Sequence, residues 1–238
     1  MLKSSVSGRR PSRSDVSRPG RPGDYAFKKR FYRDEAVALD YDFHRFGTGR
    51  LAGRNARKWR AILSALELTR EVRTVLDLPC GTGRFTGHLA ARGYEVVGSD
   101  ISVEMIRVAR DKLAAAPGVL GYLQADAEAL PLRTGSVDCV VCIRFMFHVD
   151  PPTRVRMLRE MRRVSRRWLV VDYRHRYSAR YLLWRLKRAL GLSRADLPRV
   201  SRDQLEQEFH DAGLAVVDIV PVVRFFSDKW IVVGEPAE

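Results

Sequence analysis

The sequence predicts an α/β fold, and three observations carry the prediction. From Arg73 onward, short apolar runs alternate with amphipathic stretches, the pattern of βα units that build a parallel sheet. The first run ends in a glycine-rich turn, Gly81-Thr82-Gly83, that leads into a helix. The last two runs, 214–226 and 229–234, are separated by Ser227-Asp228 alone. So short a link permits only an antiparallel hairpin, because a parallel return needs a crossover of roughly a dozen residues or more.

In chain order, a helix is expected over 51–68, then strand 1 (TVLDL, 74–78) and a helix over 84–92 stopped by Gly93. Strand 2 is YEVVGSD (94–100). Ser102 then caps a helix whose Met105, Ile106, Ala109 and Leu113 share one face, before Pro117-Gly118 ends it. Strand 3 lies at about 119–124 and strand 4 is VDCVVCI (137–143). A helix over 153–165 leads to strand 5, RWLVVDY (167–173), and a short helix over 203–212 precedes the hairpin. Together these elements make a Rossmann-like seven-stranded sheet, with five parallel core strands closed by a C-terminal antiparallel hairpin and helices on both faces.

Three segments follow from composition. Residues 1–24, rich in Ser, Arg, Pro and Gly, cannot bury enough apolar surface to offset their ordering entropy, so a disordered basic tail is expected. Residues 25–70 form an N-terminal helical lid or pocket region, with Tyr25, Phe27, Phe31, Tyr32, Tyr41, Phe43 and Phe46 ahead of the first helix. Residues 71–238 form the main domain, with an insertion at 174–202. No apolar run approaches the roughly 18 residues of a membrane span, and the first residues lack the apolar core of a secretory signal. Three cysteines do not make a disulfide framework. A cytoplasmic location is expected.

The net charge of +15 is unevenly placed. Between 154 and 188, thirteen Lys and Arg face only Glu160 and Asp172. A basic concentration of this kind attracts phosphate in nucleic acid, anionic lipid or an acidic substrate, and it is also what a solvated Arg-rich face looks like. Within it, Ala179, Leu182, Leu183, Leu186 and Leu190 share one helical face, with Arg180, Arg185, Lys187 and Arg188 around them and Tyr181 and Trp184 alongside. Two readings stay open for 176–190: a helix lying in an anionic membrane surface, and a lid packing its apolar face on the domain.

The stretch VLDLPCGTGRF (75–85) carries the densest chemistry. Its G-x-G-x-x-x-G spacing departs from the G-x-G-x-x-G that admits a dinucleotide pyrophosphate. Asp77 at the mouth of the turn would repel a pyrophosphate and favour an ammonium or sulfonium charge. Asp100, at the end of strand 2, is placed to accept ribose hydroxyls, and Asp126-Ala127, after strand 3, to meet an adenine edge.

At VLDLPCGTG, GSD, QADAEALPL, VDCVVC and the closing hairpin, the chain resembles the class I S-adenosylmethionine-dependent methyltransferases from about Arg73 to Gly234. The resemblance implies S-adenosyl-L-methionine as cofactor, with Asp77, Gly81 and Gly83 along its methionine moiety and Asp100 on the ribose. It also implies Ile101 packed against the adenine, Asp126 and Ala127 at the adenine edge, and Arg144 facing the cofactor. Pro79 is the departure, since the family usually has glycine there. Proline fixes φ near −65° and removes a donor, which shifts the backbone contacts to Gly81 and beyond.

After strand 4, Arg144-Phe145-Met146-Phe147-His148 stands where nucleic-acid amino methyltransferases carry an (Asn/Asp/Ser)-Pro-Pro-aromatic motif. The later Asp150-Pro151-Pro152-Thr153 reads as a helix start. RFMFHV is instead similar to the loop of small-molecule members such as the ubiquinone and menaquinone C-methyltransferases. This implies a small, hydrophobic or lipid-associated acceptor. His148 is the candidate general base, with a structural role as the alternative. Cys139 and Cys142 point to opposite faces of a strand, so no shared metal is expected. Competing readings are an RNA methyltransferase using the 154–188 surface, and a non-catalytic cofactor-binding or membrane-docking protein; with the cytoplasmic location goes a peripheral position on the inner membrane face as an open alternative.

Overall fold

A computed structural model describes residues 50–192 and 199–237. The tail 1–24, the aromatic stretch 25–49 and part of the 174–202 insertion lie outside the described residues. The elements run α1 (Arg50–Glu67), β1 (Thr74–Asp77), α2 (Arg84–Ala90), β2 (Glu95–Asp100), α3 (Val103–Lys112), β3 (Val119–Gln124) and β4 (Val137–Cys142). A 3₁₀ turn (Met146–His148) follows, then α4 (Pro151–Val164), β5 (Ser165–Arg174), α5 (Ala179–Ala189), α6 (Arg202–Asp211), β6 (Leu214–Pro221) and β7 (Lys229–Pro236).

The strands form one sheet in the order β3-β2-β1-β4-β5-β7-β6. The first five pair in parallel, while β7 runs antiparallel to both β5 and β6. Seven strands, five of them parallel, match the expectation from the sequence. Buried strands explain the near-continuous apolar runs. In β5, Leu169, Val171 and Tyr173 join one core layer with Met157, Leu158 and Met161 of α4 and Leu205 and Phe209 of α6. Trp168 and Val170 join the other layer, with Ala61, Ile62, Ala65 and Leu66 of α1 and Leu89 of α2. Cys142 and Cys139 fall in these two opposite layers, as their spacing requires.

Local signals place the helix starts. The Ser102 hydroxyl accepts from the Met105 N–H at 3.1 Å, and Asp150 accepts from the Thr153 N–H at 2.8 Å ahead of prolines in the first turn of α4. Asp150-Pro151-Pro152-Thr153 is therefore a helix start. The hairpin differs from expectation at one point: β6 ends at Pro221, although the apolar run continues to Phe226. Residues 222–228 leave the sheet, and Phe225 and Phe226 stand exposed at their tip. No described helix is long and apolar enough to cross a membrane.

Because β1 lies between β2 and β4, the crossover direction reverses there. A crevice opens at the carboxyl ends of these strands, the usual ligand position in an open α/β sheet.

Candidate active site

The turn after β1 forms the floor of this crevice. The Leu78 N–H donates to the Val141 carbonyl (2.9 Å), extending the β1–β4 ladder by one bond, and the Leu78–Pro79 peptide is cis. The Cys80 N–H donates to Ser99 O (2.8 Å) and the Gly83 N–H to Cys80 O (3.0 Å). Gly83 has φ 76°, and a Cβ there would meet Ala109 Cβ and Leu113 Cδ1 at 2.9 Å, so glycine lets α2 sit close against α3. Gly81, with φ 52°, has open space where a Cβ would point.

Both oxygens of Asp100 are engaged from within the chain. Oδ2 accepts from the Gly81 N–H and Oδ1 from the Ser102 N–H, each at 2.9 Å. The Gly81 amide, expected to face a ligand once proline removes its own donor, instead fixes this carboxylate. Each oxygen keeps further lone-pair capacity. Burial pushes the Asp100 carboxyl up to about 6, against the opposing pull of its backbone donors.

Asp77 is more deeply enclosed. Its Oδ2 accepts from Thr86 Oγ1 at 2.7 Å, while its Oδ1 is buried without a hydrogen-bond partner. Burial pushes its carboxyl up to about 7. The Cys80 thiol is raised by burial as well, which suits a packing role and not a nucleophile.

The crevice holds about 850 Å³ of empty space continuous with solvent. Of the residues singled out from the sequence, Gly81, Asp100, Ile101, Ala127, Arg144 and His148 line it, whereas Asp77, Gly83 and Asp126 do not. Asp126 accepts the Glu128 N–H at 3.1 Å through Oδ1. His148 ends the 3₁₀ turn, half-buried, its ring 4.3 Å from that of Phe147. Arg144 has φ 70°, unusual for a residue with a side chain, and its N–H donates to Asp172 Oδ1 at 2.6 Å. Asp172 also takes the buried Lys58 ammonium of α1, and burial lowers the pKa of that lysine.

The wall includes Phe145 of the RFMFHV loop and also Phe85, Met105 and Ile143, which were not singled out as site residues. Lys58 had a signal of its own: it lies one turn before Ile62 on the apolar stripe of α1, where a charged residue points to a buried partner.

Residues 75–167 match the family model of a methyltransferase domain. An uncharacterized 37.1 kDa protein in transposon TN4556 of Streptomyces fradiae is 33% identical over 193 residues, 73% of this chain and 52% of that protein. The ubiquinone/menaquinone biosynthesis C-methyltransferase UbiE of Pseudomonas paraeruginosa is 34% identical over 146 residues, 58% of this chain and 55% of that one. The chain spans about half the length of the curated relatives it matches. Magnesium protoporphyrin IX methyltransferase (ChlM) of Synechocystis PCC 6803, crystallised with bound SAH, has the same fold, with a TM-score of 0.63 at 19% identity. That match covers 88% of this chain and 99% of the other. Strand order, the turn after β1 and the family match together define a class I S-adenosylmethionine-dependent methyltransferase domain.

Proposed function

We propose that the chain transfers a methyl group from S-adenosylmethionine to a small, hydrophobic or lipid-associated acceptor, at the cytoplasmic face of a membrane. The observation that carries this reading is the crevice itself. Among the described residues its one acidic wall residue, Asp100, is fixed at the strand-order reversal by backbone donors that include Gly81 and Ser102, beside the bare Cα of Gly81 and the apolar slot of Ile101, Met105, Ala125 and Ala127. A nucleoside fits such a wall, with Asp100 on the ribose, Ile101 and Ala127 against the base, and Asp126 at the base edge from behind. The unpartnered Asp77 oxygen suits a cationic group at the far end of the turn, alongside Gly81 and Gly83.

The cofactor would supply an electrophilic methyl on a sulfonium. The protein's own residues then have modest tasks. Arg144 faces the cofactor, Phe145 flanks the acceptor, Ile143 and Phe85 exclude water, and His148 accepts a proton from an acceptor that must lose one. The similarity to UbiE supports a hydrophobic acceptor.

Six of the seven arginines of α4 and early β5 weigh against RNA as acceptor. Arg154 pairs with Glu208, Arg156 with Glu128, Arg163 with Glu160, Arg166 with Asp138 and Arg167 with Glu235, and Arg159 donates to Asp211 O. A phosphate-binding face needs guanidiniums available to phosphate, and these are turned to internal acceptors.

Titration calorimetry with S-adenosylmethionine tests the reading. Wild type should bind, and Asp100→Ala should lose roughly tenfold or more in affinity, the scale of a lost charge-assisted hydrogen bond. Affinity should also weaken below pH 6, where Asp100, raised to about 6, takes a proton. No binding by wild type, or equal binding by Asp100→Ala, would remove the cofactor assignment.

A further inference from the structure

We infer that α5 and the Phe225-Phe226 tip form one docking surface for an anionic lipid bilayer. This deepens the reading of a lipid-associated acceptor, but it rests on residues outside the crevice.

A surface helix normally turns its leucines inward. In α5 the orientation is reversed. Leu182, Leu183, Leu186 and Leu190 form one stripe at i, i+1, i+4 and i+8, and all are exposed, from 53% at Leu183 to 69% at Leu182. The half-buried side carries Tyr181 and Trp184, whose rings stack at 5.2 Å, with the Arg188 guanidinium 5.4 Å from the Trp184 ring. The helix therefore already has an inner face, and the leucines are not it. Of the two readings of 176–190, the lid that packs its apolar stripe on the domain is the one this orientation opposes.

The second half of the surface lies later in the chain, at residues 225 and 226. Phe225 and Phe226, 68% and 73% exposed, sit where the apolar run leaves β6. The Ala179 N–H donates to Phe225 O at 2.9 Å, which ties this tip to the first turn of α5. Arg185 and Lys187 flank the leucine stripe and Arg224 precedes the phenylalanines. No acid occurs from 173 to 194. An apolar patch of this extent marks an interaction surface.

Charge selects the occupant. In a symmetric pairing of two copies, each patch would meet itself, bringing Arg185, Lys187 and Arg224 against their own equivalents. A bilayer with anionic headgroups places negative charge at the basic rim and hydrocarbon beneath the leucines and phenylalanines. β5 ends just before α5 and β7 begins just after the tip, so both emerge at the carboxyl edge, where the crevice opens.

Co-sedimentation of the full chain with phosphatidylcholine vesicles, with and without phosphatidylglycerol, tests the surface. Wild type should bind the anionic vesicles and lose binding as salt rises. Leu182→Asp/Leu186→Asp should weaken binding by about tenfold or more, and Phe225→Ser/Phe226→Ser by several-fold. Arg185→Glu/Lys187→Glu should abolish the preference for phosphatidylglycerol. The substituted side chains are exposed, so melting temperature and S-adenosylmethionine affinity should stay at wild-type values in every variant. Vesicle binding that ignores all three variants, or no binding by wild type, overturns the inference. So does a dimer in sedimentation velocity that Leu182→Asp/Leu186→Asp splits, since the face would then join two copies. A wild type that binds anionic vesicles but not S-adenosylmethionine would refute the proposed function and leave this surface standing.

Discussion

Asp77 ends β1 and Asp172 lies near the end of β5, at the same edge of the sheet, and each is 1% exposed. Their surroundings differ. Both oxygens of Asp172 have a partner: Lys58 on Oδ2 and the Arg144 N–H on Oδ1. Asp77 has one neutral donor, Thr86, and an oxygen with no partner. A buried carboxylate left in that state destabilises the free protein, and burial accordingly raises it to about 7. The contrast separates an acid with a partner on each oxygen from one that keeps a buried oxygen without any.

The comparison breaks most sharply at Asp172. Asp172→Ala leaves the Lys58 ammonium buried and unpaired and frees the Arg144 backbone from its left-handed anchor. A loss of about 3–5 kcal/mol in urea unfolding is expected. Lys58→Met/Asp172→Leu, which removes both charges, should recover most of it. If Asp172→Ala is no worse than the double variant, the pair does not have the structural role assigned to it.

Asp77 should behave in the opposite way. Its unfolded pKa is near 3.8 and its folded value about 7, so between these pH values the folded chain keeps a proton that the unfolded chain has released. Stability contributed by this group is therefore present at low pH and falls as pH rises through that window. Asp77→Asn should flatten the slope and stabilise the free protein at pH 8 by on the order of 2 kcal/mol. The same variant should bind S-adenosylmethionine more weakly. Thermal melts across pH 4–8, with and without cofactor, would show both effects. A wild type whose stability does not fall between pH 4 and 7 would contradict the assignment.

Much of this architecture was readable in the sequence because its causes are local. Apart from the end of β6, the apolar runs set the strands within a residue or two, Ser102 and Asp150 announce helix starts, and the C-x-x-C spacing alone sends Cys139 and Cys142 to opposite layers. What stayed hidden depends on contacts distant in sequence. Lys58 and Asp172 meet across 114 positions. The Gly81 amide turns to Asp100, nineteen residues on, which the glycine spacing does not encode. The outward leucines of α5 give the same helical wheel as inward ones, since periodicity defines a face but not what covers it. Likewise the run to Phe226 has strand character throughout, yet β7 pairs β6 only up to Pro221.

Thr86 gives the smallest and most specific test. Its hydroxyl, on a fully buried side chain, donates to Asp77 Oδ2, and Thr86→Val keeps the shape while removing that donor and leaving the Thr86 backbone N–H in place. The bond favours the ionised carboxylate, so its loss should push Asp77 above about 7. The destabilisation should be about 1 kcal/mol at pH 8, where Asp77 is charged, and smaller at pH 5, where it already holds a proton. An equal loss at both pH values would mean that Thr86 acts through packing alone. Of the α2 donors, the Thr86 backbone N–H alone would then act on the Asp77 charge.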